Sequence, residues 1–283
     1  MRTTSQTHLR SVAEDGTPIP SYLIMDTESV PDGRLLSKVK YSGEDLTPEE
    51  AIERAQEEAR ERSSSNSDFL PVTFQYPISV CILRVGLDYQ LQNLTCLDDP
   101  KFRPRKIVEA FWNGLAHYKE KYKEKLKLVT FNGRCFDLPL LELAAFRYGC
   151  NGRTYFQTSR NRFGGGHIDL MELLTNYNAI RITGGLNLLS KLLGKPGKME
   201  MAGDQVYSMY QQGRIQEIND YCMFDTLDTY FVFLRTRVMV GELSLADETR
   251  LVGGAKEWLQ SKLSEIPALS QYLDNWAQWN PWP

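Results

Sequence analysis

The chain has 283 residues, of which 42% are hydrophobic and 24% charged, and its formal net charge is -3, as is usual for a soluble globular protein. No apolar run approaches the roughly 20 residues that span a membrane, and the opening sequence MRTTSQTHLRSVAEDG lacks the apolar core of a signal peptide. The five cysteines show no CxxC spacing, which argues against a disulfide framework or a zinc site and predicts a cytoplasmic location. The net charge neither indicates nor excludes a nucleic-acid partner, because bound cations and local basic patches can supply a positive field.

The first part of the chain is expected to contain a tail, a strand and an insertion. Residues 1–20 are polar and are expected to be a disordered tail. An apolar run then predicts a buried strand over 21–28. Residues 29–68 are expected to be an insertion, in which the capping box Thr47-Pro48-Glu49-Glu50 opens a helix that ends near Arg62. That helix is highly charged, which predicts a solvated helix packed loosely on the surface.

The remaining elements alternate between strand and helix patterns. The lysines near the end of the helix at 106–126 are expected to form a solvated face, and the Arg- and Gly-containing segment 153–166 is expected to be a loop. After residue 240 we expect one helix before the Trp-rich end. In chain order, we predict strands at 76–85, 89–97, 127–131 and 167–170, and helices at 106–126, 137–148, 186–193, 204–210 and 214–240.

The order of these elements predicts an α/β fold. Short turns between the first strands favour antiparallel pairing, whereas the later strand–helix–strand units favour parallel pairing. We therefore expect a mixed five-stranded sheet flanked by helices, in a domain over residues 21–240. Residues 241–283 are expected to be a helical, Trp-rich C-terminal extension.

Two acids follow the first apolar run. Asp26 and Glu28 are two residues apart, so on a strand they point to the same face. Two neighbouring carboxylates at the end of a buried strand repel each other and are hard to keep ionised unless a cation lies between them. Carboxylate oxygens suit Mg²⁺ or Mn²⁺. The alternative is a strand end at the surface with two solvated acids.

Later in the chain, two further acids stand in unusual surroundings. Asp137 follows a predicted strand at a helix N-terminus, where the alternative is a simple N-cap role. Tyr221 and Asp225 are four residues apart and share one helix face. Since that face is otherwise apolar, a lone buried Asp there would be costly. The alternative is a tyrosine–carboxylate hydrogen bond that serves only the core.

The combination is far more specific than any one motif. Asp-x-Glu on the first strand, the Asn132–Asp137 segment and Tyr-x-x-x-Asp at 221–225 resemble the three exonuclease motifs of DEDDy-type 3′–5′ exonucleases, which belong to the DnaQ-like, RNase H-like superfamily. In particular, residues 21–240 resemble the predicted 3′–5′ exonuclease family related to the proofreading domain of B-family DNA polymerases. The long insertion and the Trp-rich end depart from that family and leave substrate preference and partners open. Further segments that resemble the family are Phe69-Leu70-Pro71, Phe131-Asn132-Gly133, His167-Ile168-Asp169-Leu170-Met171, Leu192-Leu193-Gly194-Lys195-Pro196-Gly197-Lys198, Gln205-Val206 and Asp220-Tyr221-Cys222.

The resemblance implies a fold, an activity and a cofactor. The fold would be RNase H-like, and the activity would be hydrolysis of single-stranded DNA from the 3′ end by a two-metal-ion mechanism with Mg²⁺ or Mn²⁺. Asp26 would bridge the two ions, Glu28 and Asp225 would complete one site, and Asp137 would act through the second, across a water. Tyr221 would orient the attacking water, because a group with a pKa of about 10 is a poor general base.

The same resemblance implies residues that contact the substrate. Thr27, Asn132 and Phe136 are expected to hold the terminal nucleotides; stacking on Phe136 would be tolerant of base identity, and a simple core role is the alternative for that ring. Arg160 and Arg162, beside a Gly triplet, are expected to cradle a phosphate, with a mobile hairpin as the alternative.

Two rival functions stay open, and one acid is expected to act indirectly. Asp169 is expected to hydrogen-bond an arginine or the backbone rather than to bind a metal. An RNA 3′–5′ exonuclease of the RNase D type would use the same acids. A catalytically silent nucleic-acid-binding relative is the other rival, and the intact acids together with Tyr221 speak against it. We expect a nucleic-acid partner and no membrane.

Overall fold

The computed structural model describes residues 19–64, 66–122, 126–199 and 205–280. The expected tail at 1–20 therefore lies almost wholly outside the described residues, as do residues 123–125 of the predicted helix at 106–126 and residue 204 of the one at 204–210. The strands are β1 (Pro20–Pro31), β2 (Gln75–Gly86), β3 (Leu91–Cys96), β4 (Lys127–Thr130) and β5 (His167–Asp169). The helices are α1 (Gly33–Val39), α2 (Pro48–Arg62), α3 (Pro104–Tyr122), α4 (Asp137–Tyr148), α5 (Arg153–Thr158), α6 (Leu170–Leu174), α7 (Gly185–Leu192), α8 (Val206–Gln211), α9 (Ile215–Met239), α10 (Leu245–Ser261) and α11 (Leu269–Asp274).

The predicted mixed sheet is confirmed. Its strand order is β3-β2-β1-β4-β5. β2 pairs antiparallel with β1 and with β3, whereas β4 pairs parallel with β1 and with β5. The parallel β1–β4 pair requires a crossover, which α3 supplies. The architecture is the expected α/β arrangement of a mixed five-stranded sheet flanked by helices, with β1 at the centre of the sheet.

β1 supplies side chains to the layers on both sides of the sheet. Leu23 and Met25 pack with the residues of α3 and α4, while Ile24 packs with those of α9 on the opposite face. This alternation is the two-residue period of a strand. Because helices cover both faces of the sheet, residues 22–25 of β1 are all apolar or aromatic, as is typical of a buried strand.

The C-terminal residues contain two helices where one was expected. Leu251 and Leu259 of α10 and Tyr272 of α11 are buried in the same hydrophobic cluster as α9. The Tyr272 hydroxyl donates to Oδ1 of Asp228, a buried residue of α9, at 2.7 Å. These helices therefore cover the side of α9 that would otherwise face solvent.

The insertion packs more tightly than its composition predicts. The capping box at Thr47 is confirmed. The expectation of a loosely packed helix is wrong, because Ala51 and Ala55 of α2 are buried against Leu36 of α1 and against Leu70. Small alanine side chains let two helices approach closely, and the short helix α1 that they contact was not predicted.

Three other expectations are corrected. β1 continues to Pro31, so the acidic pair lies inside the strand rather than at its end. Part of the expected loop at 153–166 is the helix α5. Lys119 is buried and not part of a solvated face: its Nζ donates to the Leu126 carbonyl at 2.6 Å, and burial lowers its pKa to about 8. Among the described residues, no helix is long and apolar enough to span a membrane.

Candidate active site

The central strand and the long helix bring three carboxylates together. Asp26 and Glu28 point from β1 to one face, as predicted, and Asp225 meets them from α9. Each of the three offers an oxygen, and these oxygens all lie within 4.8 Å of one another. All three side chains remain partly accessible to solvent, so a ligand can reach them.

This group of acids is electrostatically strained. Burial raises the pKa of Asp26 and of Glu28 well above the usual range, and the neighbouring acids raise both further. Burial and the nearby Asp228 raise the pKa of Asp225 to about 7. Like charges at this spacing are stable together only when protonated or when a cation neutralises them. Three clustered carboxylate oxygens are a donor set that fits Mg²⁺ or Mn²⁺.

Asp137 lies beside this group, on the first turn of α4. Its side chain is buried, which raises its pKa to about 6, and its charge raises the pKa of Asp26. The Thr27 hydroxyl donates to Oδ1 of Asp137 at 2.6 Å. The Thr27 side chain is itself buried and holds Asp137; the expected contact of Thr27 with substrate stays a prediction.

Tyr221 lies one helical turn before Asp225, and its hydroxyl is hydrogen-bonded to the Asp225 carboxylate. Burial raises the pKa of the Tyr221 hydroxyl above its usual value, and the charges of the surrounding acids raise it further. The hydroxyl therefore keeps its proton and hydrogen-bonds to Asp225. Behind it, the Cys222 thiol donates to the backbone carbonyl of Asp26 at 3.3 Å, which ties α9 to β1.

Asp169 holds the loop between β4 and α4. Its carboxylate accepts the backbone N–H of Asn132 at 3.0 Å and of Arg134 at 2.9 Å, and it also caps α6. Asn132 has a positive φ of 65°, a conformation that asparagine tolerates better than most residues. The expectation that Asp169 bonds to the backbone is confirmed, and its role is to shape the loop that carries Asn132.

An aromatic pair lies next to this loop. Phe136 directly precedes Asp137, and its ring centroid is 5.4 Å from that of Phe69. Phe69 is 57% exposed although its side chain is large and apolar. The sequence drew attention to Phe69-Leu70-Pro71 but assigned no role to Phe69. Its contact with Phe136 joins residues 67 positions apart in the chain, so periodicity could not have revealed it.

Arg160 and Arg162 are engaged by carboxylates of the protein. Arg160 donates to Glu142 at 3.2 Å, and Arg162 pairs with Glu172 at 2.9 Å. Both guanidinium groups are partly exposed, so they keep donors that face solvent. The structure thus places these two arginines in ion pairs beside the β4–α4 loop.

Sequence reasoning assigned no role to Lys198, a cation whose charge acts on the acids. The charge of Lys198 lowers the pKa values of Glu28 and Asp225. Its side chain is exposed, and its backbone N–H donates to Oδ1 of Asn187 at 2.8 Å, which fixes this part of the chain. Lys198 stands in the Gly194–Lys198 segment that the sequence had singled out, and only the fold shows how near it lies to the carboxylates.

The fold and the site define an α/β domain with an acidic group on its central strand that could hold a metal ion. A family model described as a predicted 3′–5′ exonuclease related to the exonuclease domain of PolB matches residues 67–276. The chain belongs to this family. The matched range contains Asp137, Tyr221 and Asp225, while Asp26 and Glu28 lie before it.

The chain is also similar to a solved structure, although the likeness is distant. The chain is similar to the family B DNA polymerase from the hyperthermophilic archaeon Pyrobaculum calidifontis, with a TM-score of 0.47 and 14% identity, over 89% of this chain and 30% of the polymerase. The chain thus spans less than a third of the polymerase's length. No curated protein matches the chain.

Proposed function

We propose that this protein is a metal-dependent 3′–5′ exonuclease that hydrolyses single-stranded DNA from the 3′ end and releases nucleoside 5′-monophosphates. The observation that carries the proposal is the group formed by Asp26, Glu28 and Asp225, whose oxygens lie within 4.8 Å of one another. Membership of a family of predicted 3′–5′ exonucleases supports it. The free thiols of the five cysteines support a cytoplasmic site of action.

The acids would hold two divalent cations, Mg²⁺ or Mn²⁺. Asp26 would contact both ions, with Glu28 and Asp225 completing one site and Asp137 serving the other. When bound, such ions neutralise charge on the phosphate and lower the pKa of a water. The raised pKa values of the acids agree with this assignment, since cation binding favours the ionised form that burial disfavours.

Tyr221 would orient the attacking water. Its pKa is raised, so it remains a phenol and acts through hydrogen bonds rather than by taking a proton. The water oxygen attacks the terminal phosphorus, and the bond from phosphorus to the 3′-oxygen of the preceding nucleotide breaks. The leaving oxygen is protonated to a 3′-hydroxyl, and the released nucleotide keeps the 5′-phosphate. Lys198 would add positive charge next to the acids as negative charge develops.

Phe69 and Phe136 would bind the bases at the 3′ end. Their rings lie 5.4 Å apart at an angle of 51°, and Phe69 exposes more than half of its surface. Stacking on such rings accepts every base, and it requires that the terminal bases be unpaired. This pair therefore favours single strands over duplex ends.

The decisive test compares DNA and RNA side by side. Oligonucleotides labelled at the 5′ end are incubated with Mg²⁺, with Mn²⁺ or with EDTA, and the mononucleotides released are identified. We expect metal-dependent shortening of single-stranded DNA from the 3′ end by the wild type and none by Asp26→Ala. The matched control is Asp274→Ala, an exposed acid of α11. Shortening of RNA alone would replace the proposal with an RNase D-type activity, and no release from either strand would refute it.

A further inference from the structure

A cavity lies away from the carboxylates, between α9, α10 and residues 276–279. It has a volume of about 360 Å³, which is within the range of small-ligand sites. Two tryptophans, Trp276 and Trp279, form one wall. The other lining residues that bear on its chemistry are Lys195, Phe231, Arg235, Glu248 and Lys256.

The fold holds the wall of this cavity in place. The backbone N–H of Ala277 donates to the Gly194 carbonyl at 2.9 Å. Gly194 has a positive φ of 67°, and a Cβ there would lie only 2.9 Å from the Ala277 carbonyl oxygen. Glycine is required for this close approach. The tryptophan wall is therefore anchored to the loop after α7.

The lining carries more positive than negative charge. Lys195, Arg235 and Lys256 line the cavity together with one carboxylate, Glu248, which accepts hydrogen bonds from Nε of Arg235 at 2.8 and 2.9 Å. The charge of the buried Asp228, outside the lining, also acts on Lys195. Within the part of the chain that the structure describes, neither lysine has a carboxylate at salt-bridge distance. The whole chain has a net charge of -3, so this local excess of cations is opposite in sign to the charge of the molecule.

Lys195 is the most deeply buried of these three cations. Its side chain is only 4% exposed, and its Nζ donates to the Leu193 carbonyl at 3.1 Å. An ammonium group has three donors, so two remain for a ligand. Nζ also lies 4.4 Å from the centroid of the Trp276 ring and 5.0 Å from that of Phe231. Burial lowers the pKa of Lys195 to about 8, and the charges of Asp228 and Glu248 oppose that shift; an anion bound in the cavity would stabilise the charged form further.

The aromatic wall and the cations are interleaved. The Arg235 guanidinium lies 4.4 Å from the centroid of the Trp279 ring, and Nζ of Lys256 lies 5.5 Å from that of Trp276. Aromatic rings next to cations are the combination that binds single-stranded nucleic acid, because the rings stack on bases and the cations contact phosphates. A simple inorganic anion would use the cations but not the apolar ring surface of the cavity.

We propose that this cavity binds one nucleotide unit of a single-stranded nucleic acid, with the phosphate against Lys195 and Lys256 and the base against the Trp276–Trp279 wall. The proposal rests on the proposed function and deepens it by adding a second contact for the same strand. Asp225 and Arg235 are ten residues apart on α9, or about 15 Å along a helix. A strand that reaches both places fits a binding site of roughly 4–16 nucleotides.

The test measures binding in EDTA, where a metal-dependent nuclease cannot degrade its ligand. Tryptophan fluorescence of the wild type is followed during titration with thymidine 5′-monophosphate, with a trinucleotide and with a 16-nucleotide oligothymidylate, at two salt concentrations. We expect the double variant Lys195→Gln/Lys256→Gln to bind the 16-mer about tenfold more weakly, with a salt slope smaller by about 0.7, since the one phosphate that the two lysines share contributes about 0.7 on a single strand.

The controls separate this cavity from general electrostatics and from misfolding. Lys262→Gln removes a lysine that also lies over a tryptophan, Trp258, at 6.0 Å, but outside the cavity; it should bind like the wild type. Lys256→Gln alone changes a partly exposed residue and should weaken binding in a folded protein. Wild-type affinity in both cavity variants, or equal weakening by Lys262→Gln, would overturn the proposal.

The three ligands distinguish the source of the nucleotide and the fate of each proposal. An effect confined to the 16-mer indicates a site for the upstream strand, whereas an effect on thymidine monophosphate as well indicates that free nucleotides enter too. If the wild type degrades a trinucleotide while the variants bind the 16-mer normally, the cavity proposal fails and the exonuclease stands. If the wild type degrades nothing but the cavity variants still bind the 16-mer more weakly, the exonuclease proposal fails and the binding site stands.

Discussion

Replacing Thr27 with valine removes one hydrogen bond to a buried carboxylate and almost nothing else. Valine keeps the shape of threonine, and the site is 4% exposed, so no cavity is created. The lost bond is the 2.6 Å contact from the Thr27 hydroxyl to Oδ1 of Asp137. A hydrogen bond to a charged group contributes roughly 1.5–3 kcal/mol, which corresponds to about 10- to 150-fold at about 1.4 kcal/mol per decade.

This loss should appear in metal binding and in turnover together. Without its donor, Asp137 is less well oriented. The pKa of its carboxyl also rises further, because in the wild type the Thr27 hydroxyl lowers that pKa. We expect the Mn²⁺ dissociation constant, measured by calorimetry, to rise about 10- to 100-fold, as is usual when a partner of a metal ligand is removed. The turnover rate on single-stranded DNA should fall by a similar factor.

The matched control is Thr236→Val. Thr236 is 1% exposed, and its hydroxyl bonds a backbone carbonyl, that of Phe233, at 2.7 Å. Both variants lose a buried hydroxyl bond and should lose stability in urea, but only Thr27→Val should lose metal affinity. Equal Mn²⁺ affinity and turnover in the two variants would refute the positioning of Asp137 by Thr27.

Three further predictions address the acids, the tyrosine and a buried histidine. Asp26→Ala should abolish hydrolysis without lowering the urea midpoint, because it removes one of several mutually repelling acids. Tyr221→Phe should lower the turnover rate by about 10²- to 10⁴-fold with unchanged metal affinity. His167 is buried and its pKa is lowered to about 3 by burial, so its ring stays neutral in the folded protein while the unfolded chain binds a proton below pH 6.5. The free energy of unfolding should therefore decrease as the pH is lowered from about 6.5 to 3. Between pH 7 and pH 5, this histidine should account for about 2 kcal/mol of the decrease. His167→Gln should reduce that loss in urea titrations, while His117→Gln, at an exposed histidine, should not.

Each of these predictions has an outcome that would contradict it. Near-wild-type turnover in purified Asp26→Ala would end the assignment of that acid. Unchanged turnover in Tyr221→Phe would show that the hydroxyl takes no part in hydrolysis. An equal loss of stability between pH 7 and 5 in the His167→Gln variant and the wild type would show that this ring titrates in the folded state near its ordinary pKa.

The parts of the site that follow from short-range geometry could be predicted from the sequence. Asp26 and Glu28 share a face because a strand alternates, and Tyr221 and Asp225 share a face because a helix returns after four residues. Covalent geometry dictates both relations. The mixed sheet followed in the same way, because a short β2–β3 turn allows antiparallel pairing and the long β1–β4 connection allows a parallel pair.

The relative positions of the helices and strands depended on packing, which the sequence pattern did not show. The period of α9 places Asp225 on a face, but only the seating of that helix on β1 brings its oxygens to Asp26 and Glu28. Composition suggested that α2 is loosely held, yet two alanines bury it against α1, because tight packing depends on the shape of the partner surface.

The contacts that joined distant residues were also invisible in the sequence. Thr27 and Asp137 are 110 positions apart, and Lys195 meets Trp276 from another part of the chain. The sequence by itself determined which side chains each strand and helix presents on one face. The tertiary structure alone decided which faces meet, because contacts between distant segments depend on how whole elements pack and not on the local period of the chain.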